Sequence, residues 1–501
     1  MSWLEPFVGF AGLAEPVVLL AIAIGAFTGI VIGILPGIGP GVAIAVMLPL
    51  TYGMSPLAGI TLLLGIYVGA YYGGAVTSIL IRTPGEASSI MTMFDGAPMA
   101  ERGEAERALS LAFASAFIGG IASALVLAFV AAPISQFTSR FGAAENFMAA
   151  LLAIIFIARA YERQLGAAVM MIGVGLLVGT VGIDPTSNEQ RFTFDWTALQ
   201  SGLPLVPMVI GLFGIAQALV LLASTPEASG KPLAAFGKPQ IGHFLEPLRY
   251  PRTLLRSLGI GTAIGILPGV GSALSTTMSY FAARRASKDP DSYGKGNPEG
   301  IVAAETANNA NSGGAMLTVL TLGIPGDAIT AIIMGVFIVH GIVPGPTLFA
   351  DKPDLVYGIF AGLISINLAI ILMLLFLARP FARLSQLDPR WLGAAILALC
   401  FTGAYSTTSS MYGVWVAMGA GLLGWACALG RLPVIPLVLG LVLGDILEST
   451  LRQTLTVSSG DWSIFLHRPI AAVLLLCCAL AVLQPLLRQF KQGLRAREAR
   501  S

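Results

Sequence analysis

Charge is scarce in this chain. Only 11% of its 501 residues are Asp, Glu, Lys or Arg, against roughly 25% in an ordinary soluble domain. With 56% hydrophobic residues and a mean hydropathy of +0.83, a soluble domain is excluded and a polytopic membrane protein is left. The net charge of +2 is too small to suggest nucleic acid as a partner. Cysteine is sparse as well: Cys400, Cys427, Cys477 and Cys478 lie in apolar segments without a CxxC pair. That argues against a disulfide framework or zinc site and for small core residues. No G-x-x-x-x-G-K-[ST] motif occurs, which removes the phosphate cradle of an ATP-driven pump. Any work must then draw on an ion gradient or a partner. Residues 1–15 lack a basic region and carry Glu5 and Glu15, so no cleaved signal peptide is expected and the first apolar segment stays as a membrane helix.

What the chain does have is apolar length. Stretches near the roughly 20 residues needed to cross a bilayer recur, among them Pro16 to Leu35, Ala108 to Ala132, Val356 to Ala378 and Ile470 to Leu487. About a dozen membrane segments fit, and the expected class is all-α. Two of these segments are interrupted in the same way, by Gly33-Ile34-Leu35-Pro36-Gly37-Ile38-Gly39-Pro40 and by Gly265-Ile266-Leu267-Pro268-Gly269-Val270-Gly271-Ser272. Proline removes a backbone donor and glycine loosens the chain, so each break leaves unpaired peptide groups that are tolerable at membrane depth only around a polar cavity. Paired breaks in corresponding positions are the pointer to a transporter's binding site.

Two further anchors extend the repeat. Thr83-Pro84-Gly85-Glu86 matches Ile324-Pro325-Gly326-Asp327, and Leu203-Pro204-Leu205-Val206-Pro207 matches Leu432-Pro433-Val434-Ile435-Pro436. Gly73-Gly74-Ala75 is aligned with Gly313-Gly314-Ala315, and a polar insertion, Arg284 to Asn297, lengthens the second copy. Lys and Arg mark cytoplasmic loops. Lys231, Lys238, Arg249, Arg252 and Arg256 put the centre of the chain inside, and Arg488, Lys491, Arg495, Arg497 and Arg500 put the tail inside. The acidic stretch 184–201 and the N-terminus read as outside. If each break forms a re-entrant hairpin, the second half is the first turned upside down. The organisation read from this is a first transmembrane repeat over 1–223, a cytoplasmic linker over 224–252, a second repeat over 253–468, and a final helix with a basic cytoplasmic tail over 469–501. Inverted copies exchange conformations, which yields alternating access. Duplication without transport, with small residues serving helix packing alone, is the plainer alternative.

Each break is followed by a helix whose first turn offers free N–H groups and the positive end of a dipole, so an anion is the natural ligand. Four such starts lie near Pro40, Glu86, Ser272 and Asp327. Gly37, Gly39, Gly269 and Gly271 allow close approach of a ligand, or only of another helix. Ser88, Ser89, Thr92 and Ser272, with Ser275, Thr276 and Thr277 beyond it, supply hydroxyls, although Ser272 also stands where a helix cap is wanted. Asn308 and Asn309 can donate to a carboxylate, and Glu305, Asn311 and Asp327 are candidate cation-coupling groups, with the alternative that the asparagines cap a loop at the membrane surface. Arg82 can clamp a carboxylate, mark the inner side, or pair with Glu86. Glu86 and Asp327 begin helices, where an acid is stabilising regardless of function.

With these motifs, and with Tyr71-Tyr72-Gly73-Gly74, Phe94-Asp95-Gly96, Tyr293-Gly294-Lys295-Gly296, Glu305 to Gly314, Pro344-Gly345-Pro346 and Leu443 to Asp461, the chain resembles the large membrane subunit of the tripartite tricarboxylate transporters along nearly its whole length. The resemblance implies a multi-pass permease of the bacterial inner membrane. It would import an organic di- or tricarboxylate by symport with Na+ or H+, beside a small membrane subunit and fed by a periplasmic solute-binding protein. No cofactor, metal or enzymatic step is expected. The competing readings are a passive anion channel and an intramembrane hydrolase, for which Ser312 and His340 are the one tempting pair and lack the G-x-S-G setting.

Overall fold

The computed structural model describes residues 5–35, 38–184, 187–223, 241–384 and 389–498. Among them ten helices are long and apolar enough to cross a membrane. Three shorter apolar helices accompany them: Pro40–Gly53, Ala328–Val339 and Pro469–Leu483. The described strands are one small antiparallel hairpin, Gly182–Ile183 with Gln190–Arg191. The all-α expectation holds. Hydropathy alone misses one central helix, Pro298–Leu322, because Glu305, Asn308, Asn309 and Asn311 lower its apolar character although it is buried throughout.

The chain forms two compact units, and each draws on both halves of the sequence. One comprises 1–136 and 203–434, the other 137–202 and 435–501. In the smaller unit Gly175 lies so close to the Leu437 carbonyl that an added Cβ would stand 2.1 Å from it, and Gly440 meets Ile172 in the same way at 2.6 Å. Its hairpin is tied to the helix Val434–Val457 by ion pairs. Arg191 meets Glu448 at 2.7 Å, while Arg452 meets Asp184 at 2.9 Å and Glu448 at 2.7 Å. Arg468 reaches Glu145 at 3.1 Å beside a cluster of Ala144, Met148, Phe465 and Ala471.

In the larger unit eight helices fall into two matching sets. The first is α1 (Pro16–Ile34), α2 (Pro40–Met47), α3 (Pro56–Leu80) and α4 (Ile90–Glu101). The second is α5 (Pro251–Ile266), α6 (Gly271–Ala286), α7 (Pro298–Leu322) and α8 (Ala328–Val339). Prolines open α1, α2, α3, α5 and α7, at the helix position where a missing N–H costs nothing. α1 packs on α3 through glycines four apart. A Cβ on Gly25, Gly29 or Gly33 would stand 2.3, 2.5 and 2.2 Å from the carbonyl oxygens of Leu62, Ile66 and Ala70. α5 packs on α7 by the same device, Gly261 and Gly265 meeting the Ala307 and Asn311 carbonyls at 2.5 and 2.4 Å. Small residues every fourth position form one stripe per helix, so the two backbones touch.

The contacts correct the alignment of the double glycines by one residue. Gly73 packs on Ile30 and Gly33, and Gly314 packs on Thr262 and Gly265, so Gly73 corresponds to Gly314 and not to Gly313. The offset there becomes 241, the same as between Pro84 and Pro325. With that offset the contacts between the halves are reciprocal. Tyr67 of α3 bonds to Asp327, while its counterpart Asn308 of α7 lies beside Glu86, the counterpart of Asp327. Gly59 abuts Val336, and their counterparts Gly300 and Asp95 abut each other. Such exchange of roles is what self-complementary contact between two similar copies requires. Along α3, Tyr67 sits at the level of Asp327 and Asn311, and Gly74 at that of Glu86, beside which Asn308 lies, so residue numbers rise along α3 as they fall along α7.

The described part of the linker, 241–252, forms short turns and the start of α5. There Arg107 Nε donates to the Glu246 carboxylate at 3.1 and 3.2 Å, and His243 Nδ1 lies 3.3 Å from it. The Arg107 guanidinium holds the Glu246 carboxyl below its ordinary range against the opposing effect of burial. A depressed folded value means stability that is present above the unfolded value and lost as pH falls through the folded one. Glu246→Gln should therefore lower the thermal unfolding temperature at neutral pH, and the difference from the parent should vanish in acid. Gly29→Val should prevent accumulation of folded, monodisperse protein in detergent, because its Cβ meets backbone that cannot move aside, at a cost of about 3 kcal/mol or more.

Candidate functional site

Both Pro-Gly-acid turns build the same cap. Glu86 and Asp327 have extended backbones, with φ −141° and −148°, immediately before a helical turn, which is the conformation of an N-cap. Ser89 Oγ donates to the Glu86 carbonyl at 2.8 Å, and the Ser88 hydroxyl donates to the Glu86 carboxylate. Asp327 Oδ1 accepts from the Thr330 N–H at 2.8 Å and from its hydroxyl at 2.9 Å. Its second oxygen accepts from Tyr67 at 2.5 Å and from Asn311 Nδ2 at 3.4 Å. The turns are folded against the first breaks. Gly85 nests on the Gly33 carbonyl and Gly326 on that of Gly265, each too close for a side chain, and the Gly269 N–H donates to the Gly326 carbonyl at 2.9 Å.

The polar stretch of α7 faces these turns. Asn308, Asn309 and Asn311 lie within a 25-residue buried helix, which removes the reading of a loop cap at the membrane surface. The Thr92 hydroxyl donates to Glu305 Oε1, and Asn309 Nδ2 donates back to the Glu305 carbonyl at 3.1 Å. Glu305 Oε2, both polar atoms of the Asn308 side chain, the side-chain oxygens of Asn309 and Asn311, and the Tyr71 hydroxyl are buried without a hydrogen-bond partner. Asn308 approaches the Glu86 carboxyl without completing a bond. Each orphaned buried polar atom costs about 1–3 kcal/mol, so such a concentration fits a site that a polar ligand completes. Glu86 lies close enough to Glu305 and to Asp327 to feel the charge of each. Among the described residues no Lys, Arg or His is paired with any of the three. Nor does any group of three or more His, Cys, Asp or Glu assemble there as a metal cage. The available cation ligands are carboxylate and asparagine oxygens.

The remaining candidates stand at or near the helix starts, apart from two. α2 begins at Pro40 after Gly39, and α6 at Gly271 before Ser272. An added Cβ on Gly39 or Gly271 would meet nothing within 4 Å, so both glycines face open space, and Gly269 and Gly271 have φ of +76° and +73°. Ser272 is not a helix cap: the cap position is taken by Val270, and Ser272 lies in the first turn beside Tyr71. Ser88, Ser89 and Thr92 are buried. Arg82 is the first exception. Its exposed guanidinium pairs with Glu101 at 3.0 Å instead of Glu86 or the cluster. Gly37, with Pro36, is the second and lies outside the described residues. The hydrolase pair does not form, since Ser312 donates to the Asn309 carbonyl at 2.7 Å and His340 sits against Gly59. Tyr67, Tyr71 and Thr330 were not among the candidates. The offset of 241, applied to Asn308 and Ser312, lands on Tyr67 and Tyr71 and finds both.

Known proteins carry the same arrangement of sequence. The profile of the tripartite tricarboxylate transporter TctA family matches residues 19–439, and this span contains both breaks, both acid caps and the whole of α7. The chain belongs to the TctA family. A protein of Agrobacterium vitis described as an "uncharacterized 52.8 kDa protein in TAR-I ttuC' 3'region" is 36% identical over 486 residues, 96% of either chain. A second from the same organism, the "uncharacterized protein in TAR-II ttuC' 3'region", is 36% identical over 231 residues, 46% of this chain and 96% of the relative. No solved structure matches. TctA membership makes the chain a subunit of a transporter family and, with its ten apolar helices, a multi-pass membrane protein.

The two open glycines differ in a way that can be measured. Gly39→Ala has room and ordinary dihedrals and should change unfolding free energy by less than about 0.5 kcal/mol. Gly271→Ala has room but a left-handed backbone and should cost about 1–2 kcal/mol. Thermal unfolding in the same detergent compares them.

Proposed function

We propose that this TctA-family chain is the permease subunit of a secondary active importer that carries an organic di- or tricarboxylate inward together with Na+ or H+. The observation that supports it most is the chemistry of the cluster in the larger unit. Glu86 feels the charge of both Glu305 and Asp327, no Lys, Arg or His among the described residues pairs with these acids, and six buried polar atoms on α3 and α7 lack a partner, in a unit with helix starts that favour anions. A substrate carboxylate brought into such surroundings raises the negative charge of a buried space, which is prohibitive unless cations enter with it. Glu305, Asn311 and Asp327 are the proposed cation ligands or proton carriers. Gly39, Pro40, Gly85, Ser88, Ser89, Thr92, Gly269, Gly271, Ser272, Asn308, Asn309 and Gly326 are the proposed surroundings of the substrate, and Gly37 is assigned there by its motif alone. Arg82 is left out, since its charge is engaged by Glu101.

Reciprocal contacts and the opposite sense of α3 and α7 support two inverted halves, hence exchange of an outward-open and an inward-open form. The placement that goes with this has the N-terminus periplasmic and the tail cytoplasmic in a bacterial inner membrane. A periplasmic solute-binding protein would deliver the acid, and a small membrane subunit would complete the assembly.

Vesicles holding the full assembly, with the cognate binding protein outside, test the reading. Accumulation of a tricarboxylate above its external concentration, dependent on an inward Na+ or H+ gradient, is the expected result; flux that only equilibrates would favour a channel. Glu305→Gln should abolish gradient-driven accumulation, a loss of about 10²-fold or more, and leave insertion and assembly intact. Accumulation at the parent level in that variant would remove Glu305 from the coupling mechanism.

A further inference from the structure

Between the polar cluster and the linker side of the larger unit lies a second buried acid, Asp95, which the transport reading does not use. It sits on α4 three residues beyond Thr92, so the two are about 4.5 Å apart along the helix axis. Its carboxylate is fully buried and saturated. Oδ1 accepts from the backbone N–H groups of Gly294, Gly296 and Asn297 at 2.8, 2.9 and 2.8 Å, and Oδ2 accepts from the Tyr280 hydroxyl at 2.8 Å. Those three N–H groups belong to the polar insertion of the second half, which closes over α4 of the first. Arg102 fastens the same loop from outside, donating to the Lys295 and Gly296 carbonyls at 2.9 and 3.0 Å. Beneath the loop Met91, Tyr280, Ala283, Tyr293, Ala303 and Ala304 form an apolar plug, and Thr92 and Glu305 are the next residues inward.

The two-fold relation isolates what is special here. Gly300 packs on Asp95, and the counterpart pair at the opposite end of the site is Gly59 on Val336. Val336 has no polar side-chain atom, Gly59 meets it together with Thr51 and His340, and the turn Leu48–Gly53 between α2 and α3 carries no insertion corresponding to 284–297. One end is therefore tied by four hydrogen bonds to a carboxylate, while the other has no carboxylate at the corresponding position.

We propose that Asp95 with the loop Gly294–Asn297 is a latch that holds the cytoplasmic entrance closed, so that the empty carrier rests open or ready to open toward the opposite face, where substrate arrives. This rests on the reading of the chain as a carrier with two inverted halves. Release inside requires the loop to leave Asp95, so Asp95 acts as a positioning residue through α4 and α7 and not as a ligand of the substrate. The positive-inside assignment of the linker, to which Arg107 is bonded through Glu246, gives the latch its side.

The test is a thiol-accessibility measurement on the full-length protein. Met91→Cys, in a background with Cys400, Cys427, Cys477 and Cys478 replaced, puts a reporter directly under the latch. In Asp95→Ala, labelling by a membrane-impermeant maleimide from the cytoplasmic face should quicken at least about tenfold, since losing charge-assisted hydrogen bonds shifts a two-state population by that factor or more. Asp95→Asn, which keeps an acceptor oxygen, should fall between parent and Ala variant. Arg102→Ala, which frees the Lys295 and Gly296 carbonyls and leaves Asp95 in place, should quicken labelling in the same direction and carries the measurement should Asp95→Ala fail to fold. An unchanged labelling rate in the folded variants, or faster labelling from the periplasmic face only, overturns the latch. The labelling needs no substrate, so the two readings fail separately: a response without transport of any organic acid leaves the latch standing and removes the proposed cargo. Uptake at parent rates with unaltered labelling does the reverse.

Discussion

Everything in the larger unit depends on helix backbones lying in direct contact. Between α1 and α3, and again between α5 and α7, glycines four residues apart bring carbonyl oxygens to where a Cβ would otherwise stand. In a membrane there is little hydrophobic gain from bringing apolar helices together, so association rests on close packing and on polar groups that have nowhere else to bond. The glycine stripes supply the first. They also bring the Pro-Gly tips onto the same helices, Gly85 against Gly33 and Gly326 against Gly265. A larger side chain at any of these positions would push apart both the helix pair and the turn that carries the acid.

From this packing follows the chemistry. Once α3 and α7 are fixed, their polar residues meet the acid turns and the neighbouring helices, Tyr72 bonding to Asn367 and Thr306 to the Ser115 carbonyl. Tyr67 completes the bonding of Asp327, whereas its counterpart Asn308 reaches Glu86 without bonding to it. Corresponding positions thus differ in their bonding. Asp327 is bonded on both oxygens, whereas Asn308, Glu305 Oε2, the Tyr71 hydroxyl and Asn311 Oδ1 hold open valences. The same inequality recurs at Asp95 and Val336, which occupy corresponding positions with opposite chemistry.

The smaller unit uses different means. Its hairpin and its helix Val434–Val457 are joined by a network of two arginines and two acids, Arg191, Arg452, Asp184 and Glu448. Networks of this kind fix geometry more than they add stability. They pin the loop that connects two membrane helices and so set where those helices begin.

The sequence by itself determined the membrane class, the duplication, the places where helices break and the acids that follow them. These are local properties: apolar length, proline's missing donor, glycine's freedom and the preference of an acid for a helix start all act within a few residues. Tertiary structure alone decided the partners. It turned Arg82 outward to Glu101, placed Ser272 inside its helix, and moved the alignment of Gly73 from Gly313 to Gly314. It also brought Tyr67 and Tyr71 into the cluster and showed Asp95 under the inserted loop. A tyrosine in an apolar helix, or an aspartate in a Phe-Asp-Gly run, has no local signature of its role, because hydrogen bonds spanning 185 to 260 residues are set by which helix faces touch.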